Sequence, residues 1–362
     1  MVMHSSDGTF CKTLDSGVEL WLLDPHTEPC ISHAPSGSPA GPPVFVAAVK
    51  DGRIVGKVIY LPVPILLDQV NALGVICMDL EILPGFRGLK LFRAMLAEGE
   101  KACRDLGVEV VLGLPNANSF LPGIKRAGFQ LMGVLPFWVK PVTLDSFFKQ
   151  HVPIAFLASA CRVATSWFFA LYTRLFCGFG RSRFSVADSV TDLDADRLTL
   201  LLERADWKLP NRVNKTPDYF LWRYRHPAYF FLSSDDGTAL LVGCCLQKEG
   251  RRIGFICEIL QDGSKQSMRS GKMLVQQAER LFRAKMADIC VALFQSGTPQ
   301  SMVLKKAGLL RVPDRFMQRK MWVIFQIPGD SESTLQDFTQ WSLTVSDFDT
   351  APYYEYQEMV LD

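Results

Sequence analysis

The 362-residue chain has almost no net charge: 39 Lys and Arg against 37 Asp and Glu leave +2 with histidine neutral. So small a charge provides no global field to hold a polyanion, and nucleic acid is not expected as a partner. Ten cysteines include no C-x-x-C pair, and only Cys244 and Cys245 are neighbours, which excludes a disulfide-stapled miniprotein. Most of them sit in apolar runs such as GVICMDL and GFICEIL, where cysteine acts as a small hydrophobe. The opening residues, MVMHSSDGTFCKTLDSG, lack the apolar core of a signal peptide. A reducing cytoplasm is the expected location. There is no G-x-S-x-G for a serine hydrolase and no G-x-G-x-x-G for a dinucleotide enzyme. His26, Cys30 and His33 form H-x3-C-x2-H inside a loop-like stretch, but no fourth ligand completes a closed zinc site, so no metal is expected. The 48% hydrophobic and 21% charged residues exclude long disorder, a collagen and a coiled coil.

What is present reads as two α/β units, in line with roughly 150 residues per domain. GVELWLL is strand-like. A Pro/Gly/Ser-rich loop follows, and then VFVAAVK and RIVGKVIYL separated by Asp51-Gly52. Asp-Gly supplies the positive φ angles of a tight primed turn, so the pair predicts a hairpin. ALGVICMDLEIL ends at Pro84, helical spacing follows through Leu91, Met95, Leu96, Cys103 and Leu106 to Gly107, and VEVVLGL reads as a buried strand. FQLMGVLPFWVKPV is expected to be a last strand pair.

The order recurs in the second half. FSVADSV is a strand, DLDADRLTLLLERAD a helix, and TPDYFLWRYRHP a second helix with proline at its start. Strands AYFFLSS, ALLVGCCLQ and RIGFICEIL precede the helix MLVQQAERLFRAKM and the strand DICVALFQ. IKRAGF (Ile124 to Phe129) echoes LKKAGL (Leu304 to Leu309), with Gly128 and Gly308 180 positions apart. This is the signature of an internal duplication. The halves divide as 1–150 and 184–362, with 151–183 as an apolar linker. Within it, Phe156 to Phe179 carries Arg162 and Arg174, and its longest uncharged run, Val163 to Thr173, is short of the about 20 residues a span requires. It reads as a helix packed on the domains or as one lying in a membrane interface through Trp167, Phe168, Phe169 and Tyr172.

The segment EILPGFRGLKLFRAML (Glu81 to Leu96) carries the chemistry. A strand ends, Pro84 and Gly85 turn the chain, and a helix begins. Main-chain N–H groups at a helix N-terminus have no intrahelical partner, and the helix dipole favours an anion there. The run resembles the GNAT superfamily of acyl-CoA-dependent N-acyltransferases, in which a strand leads through V-x-P-x-[YF]-R-G-x-G to a helix. Ile82, Pro84, Phe86, Arg87, Gly88, Leu91 and Phe92 match in register. Asn116 stands at the family's asparagine, and Lys125, Gly128 and Phe129 match its closing signature. FLWRYRHPAYFF is similar to a stretch in tandem bacterial GNAT-like proteins, some from surface-polysaccharide clusters.

The resemblance implies an α/β fold of mixed sheets in two tandem GNAT-like domains, and transfer of an acyl group, most simply acetyl, from CoA to an amine such as that of an amino sugar. It implies cofactor contacts at Leu80, Ile82, Arg87, Gly88, Leu89, Lys90, Leu91, Phe92, Asn116 and Ser119. The strand's main chain would polarise the thioester carbonyl. Glu81, and after it Asp79, would act as general base, the two alternating on one face of the strand. Glu258 and Asp262 hold the matching strand end of the second half. Trp222, Arg223 and Arg225 are candidates to line an acceptor site for an anionic group. WSLTVSDFD reads as a strand followed by a solvated acidic turn, with Asp347 and Asp349 able to meet a cation or an amine. Lys90 replaces a glycine of the family pattern: it either keeps a helical torsion and reaches phosphate, or blocks the cofactor. The family's general-acid tyrosine is missing, Gly123 and Ile124 standing nearby. That leaves two other readings, a GNAT-like binding protein with reduced catalysis and an aminoacyl-tRNA-dependent transferase.

Overall fold

The computed structural model describes residues 8–23, 38–87, 90–115, 127–143, 184–205, 209–248, 251–317, 320–328, 335 and 337–348. A first sheet starts with β1 (Gly8–Thr13) and β2 (Glu19–Leu23), antiparallel to each other. It continues through β3 (Val44–Lys50) and β4 (Arg53–Leu67). Asp51 and Gly52 take φ of +49° and +72°, as the Asp-Gly pair predicts. β4 runs through Pro62 and Pro64 because its outer edge is not laddered there. The Pro62 carbonyl accepts from Ser38 Oγ and the Pro64 carbonyl from the Asn214 N–H. The missing proline N–H groups therefore interrupt no strand pairing.

β5 (Val70–Ile82) pairs antiparallel with β4, and helix α1 (Leu91–Asp105) carries the chain back so that β6 (Val110–Gly113) lies parallel to β5. The helix rides close on the sheet at Gly99, where a Cβ would fall 2.1 Å from the Tyr60 ring. Tyr60 donates from its hydroxyl to the Leu96 carbonyl, one turn away. Leu91, Met95, Leu96 and Cys103 pack against Val58, Tyr60, Val75 and Val111 in one buried cluster.

β7 (Gln130–Leu135) and β8 (Phe137–Pro141) do not form the expected strand pair. β7 stays in the first sheet, whereas β8 crosses to a second. That sheet contains β9 (Phe184–Ala187) and, after helix α2 (Ala195–Arg204), β10 (Asn211–Val213) and helix α3 (Pro217–Arg223), the strands β11 (Tyr229–Ser234), β12 (Ala239–Lys248) and β13 (Arg251–Gln261). β10 itself pairs with the end of β4 in the first sheet. Helix α4 (Lys265–Ala284) returns the chain to β14 (Ile289–Leu293), parallel to β13, and helix α5 (Pro299–Lys306) leads to β15 (Leu310–Arg311). β8 lies between β14 and β15. β16 (Met321–Gln326) makes the reverse crossing and sits in the first sheet between β6 and β7. β17 (Trp341–Ser342) pairs with β10. Among the described residues the second sheet therefore draws one strand, β8, and the first draws three, β10, β16 and β17, from the other side of the linker.

A buried ion pair anchors one exchanged strand: Lys140 Nζ on β8 lies 2.7 and 2.9 Å from the carboxylate oxygens of Glu279 on α4 and donates to the Ala307 carbonyl. A core cluster between the two halves joins Ile59, Met78 and Val323 to Phe220, Phe231 and Val242, and another packs α4 and α5 on the outer face of the second sheet. No helix among the described residues is long and apolar enough to cross a membrane. The apolar stretch 156–179 and the His26/Cys30/His33 loop lie outside the described residues.

Candidate active site

β5 and β6 are in register from Gly74↔Val110 to Cys77↔Gly113, and the pairing then stops. Directly beyond, β5 bulges. Lys57 faces Glu81 and Ile59 faces Met78, so Asp79 and Leu80 together oppose Val58. Asp79 takes φ +53° there, a left-handed torsion that aspartate tolerates better than most residues. The extra residue reverses the side-chain phase. Val75 and Cys77 face α1, and beyond the bulge Leu80 and Ile82 face it too. Strict alternation across Asp79, expected from sequence, therefore does not hold; Glu81 follows the phase set after the bulge.

The split opens a cavity of about 300 Å³. Its lining grades from exposed Glu81, through half-buried Asp79, Phe92, Leu114 and Pro115, to buried Leu96, Phe129 and Ile324. Of the residues expected at the cofactor, Leu80 and Phe92 line this cavity. Leu91 turns its side chain into the core, leaving its main chain at the helix start. Arg87 is exposed at the turn and donates from Nε to the Ile82 carbonyl. Gly88, Leu89, Asn116 and Ser119 lie outside the described residues. As N-cap of α1, Lys90 adopts φ +60°, ψ +10°, the torsion a glycine would take, and not the helical one. No side chain caps α1, whereas Asp194, Thr216, Ser264 and Thr298 cap the other four described helices. Its N-terminal N–H groups thus meet no side-chain acceptor among the described residues, beside the cavity that Phe92 lines. Cys77 on the wall is held as a neutral thiol: burial pushes its pKa up to about 12 and neighbouring Cys103 adds to the effect. Glu81 keeps a side chain 64% exposed, 3.8 Å from Lys57 Nζ.

The second sheet has the same split and fills it. β13 and β14 are parallel from Ile253↔Ile289 to Ile256↔Ala292, and β13 bulges at Cys257. The C-terminal segment enters here. Thr344 bridges to Phe294, the Gln295 N–H donates to the Leu343 carbonyl, and Ser346 Oγ donates to the Cys257 carbonyl. The expected solvated acidic turn is instead buried. Asp347 closes a capping box on Thr344 and lies 3.0 Å from Lys215 Nζ, which also pairs with Glu258. Lys215 was not read from the sequence. Burial works to lower its pKa, but Asp347 and Glu258 outweigh this and raise it, so it stays charged. Burial pushes Glu258 up, against Lys215. Asp262 accepts from the Ser264 N–H in the turn before α4.

The acceptor-lining expectation for Trp222 and Arg223 is corrected by their burial. Arg223, 3% exposed, donates from Nε to the Ser346 carbonyl at 2.5 Å and holds the inserted segment. Trp222 packs in the shared core, while Arg225 remains exposed. Among the described residues no cluster of metal-ligating side chains occurs.

No protein-family model matches the sequence, and no curated protein matches it either. Solved structures share its fold. A GCN5-related N-acetyltransferase from Kribbella flavida aligns with a TM-score of 0.51 at 12% identity, over 78% of this chain and 59% of that one. One from Anabaena variabilis gives 0.53 at 9%, over 79% and 63%. The chain thus spans about three-fifths of the length of both. N-myristoyltransferase from Saccharomyces cerevisiae with bound myristoyl-CoA gives 0.55 at 12%, over 87% and 76%. The fold is that of the GNAT acyltransferases.

Proposed function

We propose that the chain is an acyl-CoA-dependent N-acyltransferase with its working site in the first sheet. The observation that carries the reading is the open split beyond Cys77↔Gly113, with a bulged strand on one side and the uncapped start of α1 beside it. The α1 N-terminus, Arg87 and the Lys90 ammonium form a cradle suited to the CoA diphosphate. A main-chain N–H of the bulged strand donates to the thioester carbonyl oxygen as a fixed dipole. The acceptor amine attacks the carbonyl carbon, so a C–N bond forms as the C–S bond breaks. The amine proton passes to Glu81, directly or through water, with Asp79 as the second candidate. The CoA thiolate leaves and takes a proton from solvent, because no tyrosine stands at Gly123 or Ile124.

The two halves, 1–150 and 184–362, are read as copies of one unit. Matching splits support this, as do matching bulges and the torsions of Gly128 and Gly308, +87° and +89°. The second copy serves as scaffold, its split closed by its own C-terminal segment. In this reading the acceptor is a small amine and the protein is cytoplasmic, with peripheral membrane contact through 156–179 that liposome co-sedimentation tests.

Calorimetric titration with CoA and a thiol-release assay test the reading. One CoA should bind per chain, and Arg87→Ala should weaken it about tenfold, the loss of one charge-assisted contact. No binding of any CoA species would overturn it. Binding without release of thiol to any of a panel of amines would favour the GNAT-like binding protein that the missing tyrosine suggests.

A further inference from the structure

The buried part of the cavity's described lining, which includes Leu96, Gly113, Phe129 and Ile324, is apolar. A pantetheine arm carries two amides, which need hydrogen-bonding partners wherever they are buried. Among the described residues the inner wall offers no polar side chain to meet them: Leu96 comes from α1, Phe129 follows the Gly128 turn, Ile324 comes from β16, and Gly113 ends β6. All four are buried. The charged lining side chains, Asp79 in the bulge of β5 and Glu81 beyond it, are the more exposed. Methylenes fit the inner wall, and amides fit the main-chain edges of the separated strands nearer the mouth.

We infer that the buried end of this cavity receives the alkyl chain of a fatty acyl-CoA, and that Ile324, carried by the exchanged strand, sets how much chain it admits. This rests on the acyl-CoA reading of the site and adds the class of acyl donor. Ile324 suits the role by position. A Cβ added at Gly113 would lie 3.3 Å from Ile324 Cγ1, so the two residues close the floor together. The floor of the first-sheet cavity is thus supplied from the second half of the chain, which gives the strand exchange a consequence for specificity.

The test is calorimetric titration of the full chain with CoA, acetyl-CoA and saturated acyl-CoAs of increasing length, kept below their micellar concentrations. On wild type, Kd should fall by up to about fourfold for each methylene that enters, from about 0.8 kcal/mol per buried CH₂, and then rise once the chain exceeds the depth. Ile324→Ala should shift the best length upward, and the milder Ile324→Val should shift it less; thermal unfolding of each variant establishes that it is folded. If CoA and every acyl-CoA fail to bind, the acyl-CoA reading itself falls, and this inference with it. If CoA binds but affinity is flat or decreasing from acetyl onward, the fatty-acyl inference is overturned while the acyl-CoA reading stands. If length dependence is present but unchanged in both folded Ile324 variants, the assignment of Ile324 is overturned.

Discussion

Lys140→Ala is the sharpest probe of the strand exchange on which the cavity floor depends. The Lys140 and Glu279 side chains are 4% and 5% exposed, and the Lys140 ammonium serves both carboxylate oxygens and the Ala307 carbonyl. Removing it leaves a buried carboxylate without its counter-charge and a buried carbonyl without that donor, a loss of about 3–5 kcal/mol. Burial already pushes the Glu279 pKa up, against the Lys140 charge that lowers it. Without that charge it should rise further, and part of the loss should be recovered at low pH, where the carboxyl is neutral in both states. The double variant Lys140→Met, Glu279→Leu should recover most of the stability, since replacing a buried pair by apolar residues is often neutral or favourable. Chemical denaturation of wild type, Lys140→Met, Glu279→Leu and their double variant closes a cycle that measures the coupling. A single-variant loss below about 1 kcal/mol, or additive single and double losses, would mean that β8 does not lie against α4 and that the exchange is wrong.

Glu81→Gln should lower kcat by about 10²–10⁴ while leaving the Kd for CoA within a factor of two, with Asp79→Asn as the comparison; in a thiol-release assay, an unchanged kcat in both would remove the carboxylates from the mechanism. Lys90→Gly should raise stability by up to about 1 kcal/mol in urea denaturation, because relief of the left-handed torsion outweighs the added freedom of glycine in the unfolded chain; a loss above about 1 kcal/mol would refute that torsion. For Asp236, burial alone would raise the pKa, but hydrogen bonds from Ser234, Gln266 and Thr238 hold it below its usual 3.8. A depressed folded value means that this stabilisation is present above the unfolded pKa and is lost as pH falls through the folded one. The melting temperature of wild type should therefore drop more steeply below about pH 4 than that of Asp236→Asn, and parallel curves would refute the assignment.

Much of the first sheet was legible because its signals are local. Asp51-Gly52 specifies a turn within two residues, and the spacing from Leu91 to Cys103 specifies one buried helix face. The motif from Ile82 to Phe92 marked the turn into α1 for the same reason. The bulge at Asp79 left no such mark. Aspartate does not require a positive φ, and the shift in register arises from where β4 holds Val58 and Ile59. The inner cavity wall was equally hidden, because Leu96, Phe129 and Ile324 read from sequence as ordinary core residues.

By itself the sequence determined the types of most elements, the order strand–helix–strand in each half, and the turn that leads into α1, since each follows from torsional preference and periodicity within a short window. Tertiary structure alone decided that β8 and β16 trade sheets, that Lys215, Glu258 and Asp347 bury the C-terminal segment in one split, and that the other split stays open. Those outcomes depend on contacts between residues more than a hundred positions apart, such as Lys140 with Glu279 and Tyr224 with Ser346. Their free energy comes from burial and charge pairing that exist only once both halves have packed together.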